Sequence, residues 1–127
     1  MERLMSTQLI GNSVIHIGFM PDSAEINRQI IDGYLPLREE DLLKRSHFFG
    51  GRYENLYIDR NRIPAIARVL EQAVRYAHIL LQPEKPIRSG FWVNDMGPGQ
   101  TTNEHDHDEA DEMLSGVYYV KVPENSG

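Results

Sequence analysis

The 127-residue sequence contains no cysteine, which excludes disulfide bonds, thiolate zinc sites and cysteine nucleophiles. Its 19 acidic residues outnumber 13 basic ones, and the net charge of −6 disfavours non-specific binding to nucleic acids or anionic membranes. No hydrophobic run is long enough to span a membrane, and polar residues interrupt the apolar N-terminal stretch too early for a signal peptide. We therefore expect a cytoplasmic protein with no nucleic-acid or membrane partner.

The first third of the chain changes from a strand-like to a helical pattern. Residues 9–19 carry β-branched and aromatic side chains and are predicted to form one strand. Asp22 and Glu25 have the spacing of a capping box, and apolar residues then recur at helical intervals. A first helix is therefore predicted over 23–34.

The rest of the chain continues with a second helix and then with strand-like segments. Pro64 suits the first turn of a helix whose apolar stripe extends to Leu81, whereas residues 35–57 mix helical and strand-like patterns. Strands are predicted over 87–93 and 117–122 from their aromatic and β-branched residues. Helices followed by antiparallel strands indicate an α+β protein.

A segment rich in histidine and acid lies between the last two predicted strands. Residues 103–112 hold two histidines and six carboxylates. On an extended chain His105 and His107 lie on one face and Asp106 on the other. Two imidazoles with a carboxylate or water suit divalent iron, manganese or zinc, although a loop of this composition is often only a solvated turn.

Several short motifs around this segment occur together in one order. They are Trp92-Val93-Asn94, Gly99, His105-Asp106-His107, Ser115-Gly116-Val117-Tyr118-Tyr119-Val120, Pro123 and Ser126-Gly127. This series resembles a family of 2-oxoglutarate and iron(II)-dependent oxygenases with a W-x-N, H-x-H, S-G-V-Y-Y signature. The resemblance is strong over residues 88–127 and weaker upstream.

The resemblance implies a double-stranded β-helix, or jelly-roll, core that is incomplete in this chain. Residues 87–127 would form its first strands, and residues 1–86 would be a support region with a strand and helices packed on the core. We thus expect residues 1–127 to form a single, partial domain. The family's distal histidine ligand and its cosubstrate-binding arginine would follow Gly127. Either the chain is a fragment, or a second copy covers its exposed strand edges in a homodimer.

The family's metal ligands can be transferred only in part. By position His105 would be the first iron(II) ligand, and His107 falls where the wider superfamily has the carboxylate of an H-x-D motif. His107 is the favoured second ligand, with Asp106, Asp108 or Glu109 as alternatives. With the distal ligand missing, we expect weak iron binding and no turnover.

The resemblance also implies a cosubstrate site and a reaction. Tyr119 occupies the position of a tyrosine whose hydroxyl binds the distal carboxylate of 2-oxoglutarate, and Asn94 is a candidate polar contact to the same cosubstrate. The implied activity is hydroxylation of a C–H bond, with the cofactors supplying the reactivity.

Two other functions fit parts of the sequence. Gly99, His105, His107 and Glu112 match the first motif of a cupin, a metal-binding β-barrel protein, but Gly116 follows Glu112 too closely for that family. The third alternative is a non-catalytic α+β module in which the acidic loop is solvated.

Overall fold

Two antiparallel hairpins and two α-helices make up the regular structure of the described residues, which is an α+β arrangement. The computed structural model describes residues 5–11, 13–103 and 113–124. The elements are β1 (Met5–Ile10), β2 (Ser13–Gly18), α1 (Ser23–Tyr34), β3 (Lys44–Phe49), β4 (Arg52–Tyr57) and α2 (Pro64–Leu81), with a short 3-10 turn over Glu39–Asp41. A jelly-roll core is not among the elements of the described residues.

The N-terminal apolar stretch forms a hairpin, so the prediction of one strand over 9–19 was wrong. β1 pairs with β2, and Leu9 lies opposite Val14. The chain reverses at Gly11, whose φ of 60° is in the left-handed region that glycine adopts without steric cost. The Gly-Asn sequence at positions 11–12 is a turn signal between two β-forming runs, and it was the information that the prediction omitted.

The base of this hairpin is attached to α2 through Tyr76. The Tyr76 hydroxyl donates to the carbonyl oxygen of Phe19 at 2.9 Å and accepts from the Phe19 N–H at 3.2 Å. A Cβ atom at Gly18 would lie 2.6 Å from the Tyr76 ring, so any side chain there would collide with it. Gly18 therefore permits the close approach of the hairpin to the helix.

Helix α1 spans the predicted residues, but its predicted cap does not form. Asp22 has a φ of 57°, in the left-handed region, and its side chain makes no capping hydrogen bond. An N-cap residue normally has a β-region backbone, which directs its side chain towards the first N–H groups of the helix. Glu25 instead accepts from Arg28 Nε at 3.0 Å, and Arg28 also pairs with Asp32 at 2.9 Å. Surface pairs one turn apart thus replace the capping box.

Helix α2 also spans its predicted residues, with Pro64 in its first turn. Its apolar stripe packs against α1 and the connection that precedes it. The buried core comprises Ile26, Ile30, Ile58, Ile63, Ala65 and Ile66. Among the described residues, no helix combines the length and apolarity that crossing a bilayer requires.

The strands predicted over 87–93 and 117–122 do not form as regular strands. In the first segment, Val93 makes a single antiparallel bridge with Leu56, with N···O distances of 2.8 and 3.0 Å. In the second, Tyr118 and Val120 pack against the core, and Tyr119 is exposed. The alternation of side chains is therefore present, but a strand also needs a backbone partner, which period-two patterning does not specify.

Replacement of Ile26 by alanine should strongly destabilise the protein. Ile26 is 0% exposed, so its truncation leaves a cavity and costs about 2–5 kcal/mol of the free energy of unfolding. The matched control is Ile79→Ala on α2, where the side chain is 54% exposed and the cost should stay within about 0.5 kcal/mol. Urea denaturation of both variants measures the difference, and equal costs would contradict this core.

Candidate functional site

The second hairpin presents two charged side chains on one face of β4. β3 and β4 are joined at Gly50 and Gly51, whose φ values of 61° and 83° require glycine-like freedom. Because side chains alternate along a strand, Arg52 and Glu54 share a face. Glu54 is only 5% exposed, and Arg52 is half-buried. Buried charges of this kind need polar partners.

Arg52 binds both ends of the connection formed by residues 94–103. Its Nη1 donates to Asn94 Oδ1 at 2.8 Å, and its Nη2 donates to the Thr101 carbonyl oxygen at 3.3 Å. Nη2 also lies 3.5 Å from Thr102 Oγ1. The buried Nε atom has no hydrogen-bond partner among the described residues, and no described carboxylate forms an ion pair with this guanidinium.

Glu54 holds Asn103, the first residue of the histidine-rich segment. Its Oε1 accepts from the backbone N–H of Asn103 at 2.5 Å, over 49 positions of sequence. Hydrogen bonds to a charged group in a partly buried setting are among the stronger ones, worth roughly 1.5–3 kcal/mol. The polypeptide therefore enters the segment that contains His105 and His107 from a fixed point on β4.

The connection between Asn94 and Asn103 is folded on itself. The Gly97 N–H donates to Gln100 Oε1 at 2.6 Å, and the Gln100 N–H donates to the Gly97 carbonyl oxygen at 3.2 Å. At its start, the hydroxyl of Tyr34 from α1 donates to Asp95 Oδ2 at 2.8 Å. We call residues 94–103 the ligand-proximal loop, since it leads directly to the predicted metal ligands.

Asn94, the predicted cosubstrate contact, is held in one orientation by this loop. Arg52 has only donors, so the oxygen of the Asn94 amide must face it. The NH₂ group then points away from the guanidinium and is the donor that remains for a further acceptor. The structure thus brings Asn94 next to the residues that precede His105, and it gives the amide a defined direction.

Tyr118 and Tyr119 have opposite environments. The hydroxyl of Tyr118 donates to Asn27 Oδ1 at 2.5 Å, and burial raises the pKa of Tyr118 above its ordinary value. Tyr119, the predicted 2-oxoglutarate contact, is 71% exposed. Tyr118 therefore contributes to the core, while the hydroxyl-bearing ring of Tyr119 is accessible to a ligand.

The predicted metal ligands His105 and His107 lie outside the described residues, as do the alternatives Asp106, Asp108 and Glu109. Within residues 5–11, 13–103 and 113–124, no group of three or more histidine, aspartate or glutamate side chains is arranged to hold a metal ion. Two of the other histidines form hydrogen bonds elsewhere. Nδ1 of His16 is hydrogen-bonded to the Thr7 hydroxyl, and Nδ1 of His47 is hydrogen-bonded to Ser46 and Asn55.

Sequence reasoning missed Arg52 and Glu54. The available signal was their alternation in a β-forming run directly after two glycines, which places both on one strand face. The pattern does not reveal that their partners lie more than 40 positions away in the ligand-proximal loop.

Comparison with known protein families, with curated proteins and with solved structures found no match to this chain.

Replacement of Tyr34 by phenylalanine should make stability less sensitive to alkaline pH. Burial, followed by the hydrogen bond and negative charge of Asp95, raises the pKa of Tyr34 above its ordinary value of 10.0. The folded protein then holds this proton more tightly than the unfolded chain. The stability that the bound Tyr34 proton contributes is fully present below the pKa of the unfolded chain. This stability is lost as the pH rises through the higher pKa of the folded protein.

Urea denaturation at about pH 8 and about pH 11 measures this effect. At the lower pH, Tyr34→Phe should cost about 1 kcal/mol, the worth of one hydrogen bond. Between the two pH values, the wild-type protein should lose more stability than the variant, in which the other tyrosines still titrate. Equal losses in the two proteins would show that Tyr34 is not protected from ionisation.

Proposed function

We propose that this protein is of the iron(II) and 2-oxoglutarate-dependent oxygenase type, with His105 and His107 as metal ligands. The proposal rests on one observation: the guanidinium of Arg52 binds both Asn94, a candidate cosubstrate contact, and Thr101, which lies four positions before His105 in the sequence. In this proposal residues 87–127 correspond in sequence to the start of the family's jelly-roll core, although residues 87–93 and 117–122 do not form regular strands.

The chemistry of the donor set fits the proposed metal. Two imidazoles and a carboxylate are the ligands of non-haem iron(II) oxygenases, and the chain has no cysteine that would favour a thiolate site. His105 and His107 would supply the imidazoles. Asp106, Asp108 or Glu109 is the alternative to His107 as second ligand and would supply a carboxylate in its place. When bound, iron(II) and 2-oxoglutarate together supply the activation of dioxygen for hydroxylation.

The described residues would contribute binding and orientation rather than reactivity. The NH₂ group of Asn94 is a suitable donor to a carboxylate oxygen, because Arg52 occupies the amide oxygen. The exposed hydroxyl of Tyr119 is available for the same kind of bond to the far end of a dicarboxylate. Fixing the loop in advance reduces the entropy that ligand binding would otherwise cost.

Anaerobic titration of the full chain with iron(II), with and without 2-oxoglutarate, tests the proposal. Wild-type protein should bind iron(II) and develop a visible charge-transfer band only when 2-oxoglutarate is added. His105→Ala and His107→Ala should each weaken iron(II) binding by more than about tenfold, since each removes a direct ligand. His78→Ala on α2 is the matched control and should bind like the wild type.

The same titration separates the alternative functions. A cupin-type protein would bind the metal through His105 and His107 but would show no response to 2-oxoglutarate. A non-catalytic module with a solvated acidic loop would bind iron(II) equally weakly in the wild type and in both histidine variants. Either result would overturn the proposed oxygenase chemistry.

A further inference from the structure

The side chains of Arg52 and Glu54 direct all of their described hydrogen bonds to the ligand-proximal loop. Arg52 donates to Asn94, Thr101 and Thr102, and Glu54 accepts from Asn103. No described residue forms an ion pair with either side chain. Burying the Glu54 carboxylate and half-burying the Arg52 guanidinium is unfavourable unless polar partners compensate, and here the ligand-proximal loop supplies those partners.

These contacts fix both ends of the loop relative to β4. The two terminal nitrogens of the planar guanidinium bind the Asn94 amide and the Thr101 carbonyl at the same time. A lysine ammonium could not hold both with the same geometry. Glu54 then fixes the backbone of Asn103, which is two positions before His105 in the sequence. The Leu56–Val93 bridge anchors the residue that precedes Asn94.

We infer that Arg52 and Glu54 are positioning residues for the metal and cosubstrate site, acting through the ligand-proximal loop. This inference rests on the proposed function, because it assigns the pair a role in fixing Asn103, two positions before His105 in the sequence, and in orienting the Asn94 amide. Groups that orient metal ligands without touching the metal strongly affect metal affinity, because they set the geometry before binding.

A purely structural role for the pair would have a different signature. Loss of a structural contact lowers the free energy of unfolding and leaves the affinity of the folded protein for metal unchanged. Loss of a positioning contact lowers metal affinity beyond what any change in stability explains. The two roles are therefore separated by measuring metal affinity and thermal unfolding on the same variants.

The experiment compares Arg52→Met with Arg45→Met in the full chain. Arg45 is on β3 in the same sheet, pairs with Glu39 at 2.6 Å and stacks on the Tyr53 ring, and it makes none of the described hydrogen bonds to the ligand-proximal loop. Methionine removes the donors and keeps much of the side-chain volume. Arg52→Met should weaken iron(II) affinity by about 10- to 100-fold, as is typical for groups that orient ligands, and Arg45→Met should leave it unchanged.

Glu54 offers a second comparison with a conservative rescue. Glu54→Met removes the acceptor for the Asn103 N–H and should weaken iron(II) binding to a similar extent. Glu54→Gln keeps an oxygen in the same place and should retain most of the affinity. Equal affinity in Arg52→Met and Arg45→Met, or an affinity in Glu54→Met as high as that in Glu54→Gln, would overturn the inference.

Amide hydrogen exchange in metal-free protein keeps this inference distinct from the proposed function. Exchange at Asn103 should be faster in Glu54→Met than in Arg45→Met, because the amide loses its buried acceptor. If the wild type binds no iron(II), the proposed function and the site role of the pair both fail. Unchanged exchange at Asn103 would instead refute the contact itself, whatever the metal affinity.

Discussion

The placement of two charged side chains on β4, Glu54 buried and Arg52 half-buried, is the constraint on which the candidate site depends. Arg52 and Glu54 need polar partners, and the ligand-proximal loop provides them at Asn94, Thr101 and Asn103. Leaving a charge unpaired inside a protein costs far more free energy than leaving it unpaired at the surface. The hydrogen bonds to Arg52 and Glu54 therefore favour the observed position of the loop against β4. The course of the chain towards the histidine segment follows from that position.

The hydrophobic core supports this arrangement by holding β4 in place. Ile58 directly follows the strand and Ile63 directly precedes α2, and both are buried with Ile26 of α1. The same helix provides Tyr34, whose hydroxyl binds Asp95 in the loop. The packing of two helices thus positions the strand and also one end of the loop, so local helix formation and site geometry are connected through a small group of isoleucines.

The sequence predicted elements whose information is local and missed those that depend on distant partners. The bounds of both helices followed from their periodicity and from Pro64, whereas the turn at Gly11 was overlooked within an apolar run. Strand-like alternation around Tyr118 was real, but the pattern could not say whether a neighbouring strand exists. For the site, the residue types of the H-x-H motif indicate metal chemistry, while the role of Glu54 depends on a contact 49 positions away.

The most direct test of the account is to locate the bound metal relative to the ligand-proximal loop. Paramagnetic manganese(II) can be titrated into isotope-labelled protein while the backbone amide signals are followed by nuclear magnetic resonance. The account predicts that the amides of Asn94 and of residues 101–103 broaden first, because they adjoin the start of the histidine segment. Broadening that begins at the acidic turn of Glu39–Asp41, or that spreads evenly over acidic surfaces, would contradict it.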